Sequence, residues 1–120
     1  MEFEIAQYDE EALEADVWVK NQGEVFLCYA HPISQSEIDC LHDASFSTLF
    51  ARDIVLSDEK GCAIQKTSET HYSYEMTGLY VGQDTVMVGE CKIKLDAAVP
   101  GDIKINDYIS WCCARLDLVL

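Results

Sequence analysis

Basic residues are scarce in this chain. Eight Lys and Arg stand against 22 Asp and Glu among 120 residues, a formal charge of −14 with histidine neutral. The resulting field repels phosphates and anionic lipid, which excludes direct nucleic-acid or membrane binding, and it attracts basic partners. No apolar run approaches the roughly 20 residues that span a bilayer. The opening MEFEIAQYDEE has neither the basic flank nor the apolar stretch of an export signal. A cytoplasmic protein is therefore expected. In that reducing compartment the six cysteines (Cys28, Cys40, Cys62, Cys91, Cys112 and Cys113) are expected to be thiols, mostly acting as small buried hydrophobes.

The motifs of the common catalytic classes are also missing. The chain contains no G-x-S-x-G elbow, no G-x-G-x-x-G and no phosphate loop. Carboxylate pairs arise by chance among 22 acids, so they assign no general acid or base. Nothing marks the chain as an enzyme, and the reading leans to a non-enzymatic protein. Glycine and proline are sparse, at six and two residues, and no low-complexity linker or repeat divides residues 1–120. A single acidic domain is expected. Nearly half of the residues, 49%, are hydrophobic, enough for one core without help from metal or disulfides.

Hydrophobic periodicity of two dominates. FEIAQY (3–8) reads as an edge strand and DEEALEA (9–15) as a turn or short helical piece. ADVWVK and EVFLCYA flank Asn21-Gln22-Gly23 and read as a hairpin, its second strand apolar enough to be central. Ser34-Gln35-Ser36-Glu37 has the form of a capping box, which places a short helix or turn over 36–43. Residues 46–56, 70–81 and 85–96 read as strands, with Cys91, Ile93 and Leu95 facing inward in the last. A short extended piece over 102–105 precedes YISWCCARLDLVL, where Ile109, Trp111 and Cys113 share one face and Leu116, Leu118 and Leu120 the other. That change of parity predicts a bulge near Ala114-Arg115. The expected fold is mainly β, with α+β as the alternative. It is a small, strongly twisted antiparallel sheet or partly open barrel of about six to seven strands, with at most one or two short helices.

Three constellations could carry function. Cys28, His31, Cys40 and His42 offer the elements of a zinc site, but C-x-H is not a zinc knuckle and Cys28 lies inside an apolar strand. A strand end and turn is the expectation there, with no metal and no cofactor. A second constellation is a pocket near His71, Tyr72, Tyr74 and Trp111 at the mouth of a barrel, which would suit a small ligand or an enzymatic role. On alternation, His71, Ser73 and Glu75 are expected on the face opposite Tyr72 and Tyr74.

The third constellation is the charge itself. Residues 1–60 hold 14 acids and 3 bases, a balance of −11, against −3 for the remainder, and the first 19 residues contain no base at all. The leading expectation is a binding protein that recognises a basic surface of a macromolecular partner. That is the physical logic of inhibitors, immunity proteins and nucleic-acid mimics, whose fixed carboxylates stand in for phosphates. The expected contact residues are Glu2, Glu4, Asp9, Glu10, Glu11, Glu14 and Asp16, then Glu37, Asp39 and Asp43, with Trp18 or Tyr29 as an aromatic anchor. A structural or self-associating β domain is the remaining alternative.

Overall fold

The structure, a computed structural model, describes residues 1–41 and 44–120. Its elements are β1 (Glu2–Asp9), β2 (Glu14–Asn21), β3 (Glu24–Ala30), α1 (Gln35–Asp39), β4 (Ser45–Leu49), β5 (Arg52–Leu56), β6 (Ala63–Lys66), β7 (Tyr74–Gly82), β8 (Thr85–Val88), β9 (Cys91–Lys94), β10 (Tyr108–Cys113) and β11 (Arg115–Val119). The chain is mainly β, as its alternation implies. The strand count is higher than the expected six to seven: eleven strands form one sheet among the described residues. That sheet is not closed into a barrel, and β1 and β5 are its two ends.

Three breaks account for most of the extra strands. The run over 46–56 divides at Phe50, whose φ of 57° leaves the extended region, so β4 and β5 pair with different neighbours. The run over 85–96 folds back at Gly89-Glu90 into a hairpin, with Val88 opposite Cys91. The predicted irregularity at Ala114 is present and interrupts the last run. Trp111 and Cys113 point inward before it, Leu116 and Leu118 after it. This break moves the chain from between β7 and β5 to between β3 and β4. Strand β6 was not legible from the pattern, and residues 102–105 form no strand.

The sheet consists of antiparallel blocks joined by short parallel contacts. β1, β2 and β3 form one block, and β11 with β4 a second. The third block runs β9-β8-β7-β10-β5, with β6 on β7 beside the part that β8 does not reach. The joints are parallel: Asp117 against Tyr29, and Phe46-Ser47 against Ile93-Lys94. The curved sheet encloses a core in which Phe26 meets Phe46 and Tyr74 edge-on, at centroid distances of 5.5 and 6.3 Å. Val17, Cys28, Met76, Ile93 and Trp111 fill the space around them.

Local signals hold where they depend on near neighbours. Ser34 caps α1: its hydroxyl accepts from the Glu37 amide while the Glu37 carboxylate accepts from the Ser34 amide. Cys112 and Cys113 fall on opposite faces, Cys113 buried and Cys112 half-buried. Among the described residues no helix is long and apolar enough to cross a membrane.

The β2–β3 loop is Gln22-Gly23, with φ of 51° and 85°, the pattern of a type I′ turn. Glycine adopts that region freely, whereas glutamine is strained there and asparagine is tolerated. Gln22→Asn is therefore expected to stabilise the protein by about 0.5 kcal/mol, read as a higher urea midpoint at unchanged slope. A lower midpoint would mean that the Gln22 side chain, which lies over Gly89, contributes more than the strain costs.

Candidate functional site

The site begins with a strand irregularity. β1 pairs with β2 so that Glu2 and Glu4 lie opposite Lys20 and Trp18 on the outer face. A bulge between Ile5 and Gln7 then shifts the parity. Gln7 and Asp9 consequently face outward as well, opposite Asp16 and Glu14. Were Ala6 accommodated in regular alternation instead of in a bulge, Glu2 and Glu4 would face outward but Gln7 and Asp9 inward. At the strand end, Asp9 Oδ1 accepts from the amides of Glu11 and Ala12 at 3.0 and 3.1 Å. This local turn places Glu10 and Glu11 at the exposed hairpin tip.

Opposite these carboxylates stand two tyrosines. β3 places Tyr29 beside Asp16 by direct pairing. Tyr72 comes from the 67–73 loop, which is organised by the fully buried Ser73. The Ser73 hydroxyl accepts from Thr67 Oγ1 at 2.6 Å and from the Thr70 amide at 2.9 Å. Tyr72 then donates its hydroxyl proton to Asp16 Oδ1 at 2.8 Å. The two phenol rings meet edge-on with centroids 6.3 Å apart. Together Gln7, Asp9, Glu14, Asp16, Tyr29 and Tyr72 line a groove of about 230 Å³.

Electrostatics fixes the protonation of its donors. Partial burial and then the hydrogen bond to Asp16 push the Tyr72 phenol up to about 12. Burial and then the Glu14 carboxylate raise Tyr29. Both phenols stay neutral near pH 7, and Tyr72 donates to Asp16. Arg115 lies 4.2 Å over the Tyr29 ring and donates from Nε and Nη2 to Asp117. The cation beside the groove is thus held by an aromatic face and a carboxylate of its own. Among the described residues, no ion pair includes Asp9, Glu14 or Asp16.

The other expected contact residues are dispersed. Glu2 and Glu4 lie farther along the same outer face, and Lys20 approaches Glu4 at 3.7 Å. Trp18, 38% exposed, belongs to a neighbouring groove of about 300 Å³ with Val25, Leu27, Ile64, His71 and Tyr74. Glu37 serves the helix cap, and Asp39 accepts from Gln35 Nε2 at 3.0 Å. Both acids belong to α1, apart from the groove lining. Asp43 lies outside the described residues.

The pocket expected near His71, Tyr72, Tyr74 and Trp111 does not form as one site. Trp111 is 1% exposed and belongs to the core. Tyr74 is also nearly buried, its hydroxyl accepting from the Leu27 amide at 2.8 Å. Tyr72 faces the acidic groove and His71 the apolar one. The expected face of His71, Ser73 and Glu75 is likewise absent, because β7 begins only at Tyr74 and the preceding loop buries Ser73. Alternation could not show this, since residues 70–73 are a turn.

Cys28 is sealed in the core and His31 is exposed beside the Leu13 carbonyl; His42 lies outside the described residues. Among the described residues no three His, Cys, Asp or Glu side chains converge to hold a metal ion. Burial raises the thiols of Cys28, Cys91 and Cys113, the last two to about 11 and 12, so these three are poor nucleophiles.

Sequence reasoning missed Gln7, Arg115, Asp117, Leu27 and Ile64 as neighbours of these grooves. The only signal for Gln7 is the bulge, and for Arg115 the parity change at Ala114. No family model matches this chain, and neither a curated protein nor a solved structure matches it.

Proposed function

We propose that this protein is an acidic binding module that receives a cationic side chain of a basic protein partner in the groove of Asp9, Glu14, Asp16, Tyr29 and Tyr72. The observation that carries this reading is one groove with three carboxylates and two phenol rings, beside which Arg115, over the Tyr29 ring, is already bound to Asp117. A Lys ammonium or Arg guanidinium would gain carboxylate acceptors and an aromatic wall together. The surplus of acids over the first 19 residues adds a long-range field that steers a basic surface toward it. Blocking a partner's nucleic-acid-binding surface is one use for such a module, and the inhibitor and immunity classes belong to this proposal.

The test separates the groove from bulk charge. The amide variant Asp9→Asn/Glu14→Gln/Asp16→Asn keeps the acceptors for Tyr72 and for the hairpin turn while removing three charges. Its control, Asp58→Asn/Glu59→Gln/Asp102→Asn, removes three exposed charges elsewhere. Binding of a fluorescent hexa-arginine peptide is followed by anisotropy at low and physiological salt. The groove variant is expected to bind at least about tenfold more weakly, some 1.4 kcal/mol, and with a flatter salt dependence than the control. Equal weakening in both variants would reduce the acids to undirected surface charge and sink the proposal.

A further inference from the structure

We infer that the outer face of β2 and β3 binds an extended peptide segment of the basic partner, with a cationic side chain in the acidic groove and a large apolar side chain two residues away in the Trp18 groove. This rests on the binding reading above and specifies what the partner must present.

Register supplies the spacing. Asp16 and Trp18 are two residues apart on β2, and Tyr29 and Leu27 are two apart on β3. They form successive rungs on one face, since Asp16 pairs with Tyr29 and Trp18 with Leu27. Alternate residues of a strand lie roughly 6.6 Å apart along the chain, which is also the spacing of side chains i and i+2 in an extended ligand. His71 and Tyr72 continue the two grooves on the facing loop, with ring centroids 5.0 Å apart. A helical ligand brings i, i+3 and i+4 together instead, and does not match neighbouring rungs.

Chemistry selects the side chains. The second groove is walled by Trp18, Val25, Leu27, Ile64 and Tyr74, with Val25 51% exposed. Lys66 also borders it, but its ammonium donates to the carbonyls of Thr67 and Thr70 and sits 5.6 Å over the Tyr74 ring. That engagement leaves an apolar surface and no free ammonium for an acidic ligand. The two neighbouring rungs differ in charge: Asp16 stands on the one toward the acidic groove, and Lys20, opposite Val25 and 3.7 Å from Glu4, on the other, so the unpaired negative charge lies on the Asp16 side. The complementary occupant is apolar where it enters and positively charged beside that point. A purely apolar molecule would leave the flanking charge unused.

The test is selection of random nine-residue peptides displayed on phage against the intact protein at physiological salt. Enriched peptides are expected to carry Lys or Arg and a large apolar residue at relative positions i and i+2, in either order. Trp18→Ala is expected to abolish the apolar preference and keep the basic one. Asp9→Asn/Glu14→Gln/Asp16→Asn is expected to do the reverse. A synthetic peptide with the selected spacing should bind at least tenfold more tightly than one with the same two residues adjacent. Should Trp18→Ala not fold, Val25→Glu fills the same groove with the wrong charge from an exposed position and serves in its place.

Basic enrichment without an apolar residue at i+2 would overturn this inference and leave the binding reading standing. Apolar enrichment without a basic residue would overturn both, as would no enrichment. Sedimentation as a dimer that Trp18→Ala dissociates would assign the apolar groove to a second copy of the chain and overturn the inference as well.

Discussion

Replacing Gly78 by alanine is expected to destabilise the protein by roughly 3 kcal/mol, the upper end of ordinary overpacking. Gly78 lies in the middle of β7, buried between β8 and β10. A Cβ added there would stand 2.6 Å from the Met87 carbonyl oxygen, 2.8 Å from Val86 Cγ1 and 2.9 Å from Val88 Cγ2. The first of these is backbone, so no rotamer change relieves it. β7 and β8 would have to separate, and β8 carries the Val86 and Val88 side chains of the core. In thermal unfolding the loss corresponds to a fall on the order of 10 °C in Tm for a domain of this size. Melting indistinguishable from wild type would mean that the β7–β8 pairing is much looser than its geometry indicates. The face proposed to bind peptide lies on β2 and β3, so hexa-arginine binding well below the transition should persist in this variant.

Loss of the Asp96 carboxylate is the second large effect. Its oxygens accept from Thr48 Oγ1, the Phe50 amide and the Ala51 amide, each at 2.8 Å, and its own amide donates to Thr48 Oγ1 at 3.0 Å. This one side chain holds the break between β4 and β5 against the end of β9. Phe50 remains at a φ of 57° in part because its amide has that acceptor. Asp96→Ala is expected to cost about 2 kcal/mol, and Asp96→Asn about half of that, since an amide still offers one acceptor oxygen.

A pH dependence follows. Desolvation opposes ionisation of Asp96, but the hydrogen bonds from Ala51, Thr48 and Phe50 outweigh it and hold the carboxyl below its ordinary value. A depressed folded pKa contributes stability that is fully present above the unfolded value, about 4, and is lost as pH falls through the folded one. The stability gap between wild type and Asp96→Asn should therefore be constant near neutrality and narrow below about pH 4. Urea midpoints measured across that range check it. A gap that widens on acidification would mean that the carboxylate is not the favoured form in the fold.

Features whose physics is local could be read from the sequence. The Ser34 cap depends on a side chain and an amide three residues apart. The β2–β3 turn depends on the local run Asn21-Gln22-Gly23, in which Gly23 adopts positive φ freely. Inward Cys91, Ile93 and Leu95 follow from strict alternation, and the kink at Ala114 from the change in its phase. The excess of acid at the start of the chain is likewise a property of composition alone. Each of these is fixed by a handful of neighbouring residues, so no partner element has to be known.

The tertiary structure decided how those pieces meet. Strand number depended on Phe50 and Gly89-Glu90 leaving the extended region, and in the first case the stabilising acceptor, Asp96, is 46 residues away. Tyr72 and Asp16 are separated by 56 residues, and no periodicity relates them. They meet because β6, β7 and the loop between them cover the outer edge of β3, where the Tyr74 hydroxyl takes the Leu27 amide. Trp111 reads from its flanks as well as Tyr72 does, yet it is core, because it projects with Ile109 and Cys113 from the inner face of β10 into the cluster that contains Phe26 and Met76. Of the seven acids before Val17, three share a groove, and the bulge at Ala6 together with the β1–β2 register determines which. Charge can be counted along a chain, but a site requires charges to converge, and convergence is set by long-range register, which depends on which faces bury the most apolar surface against one another.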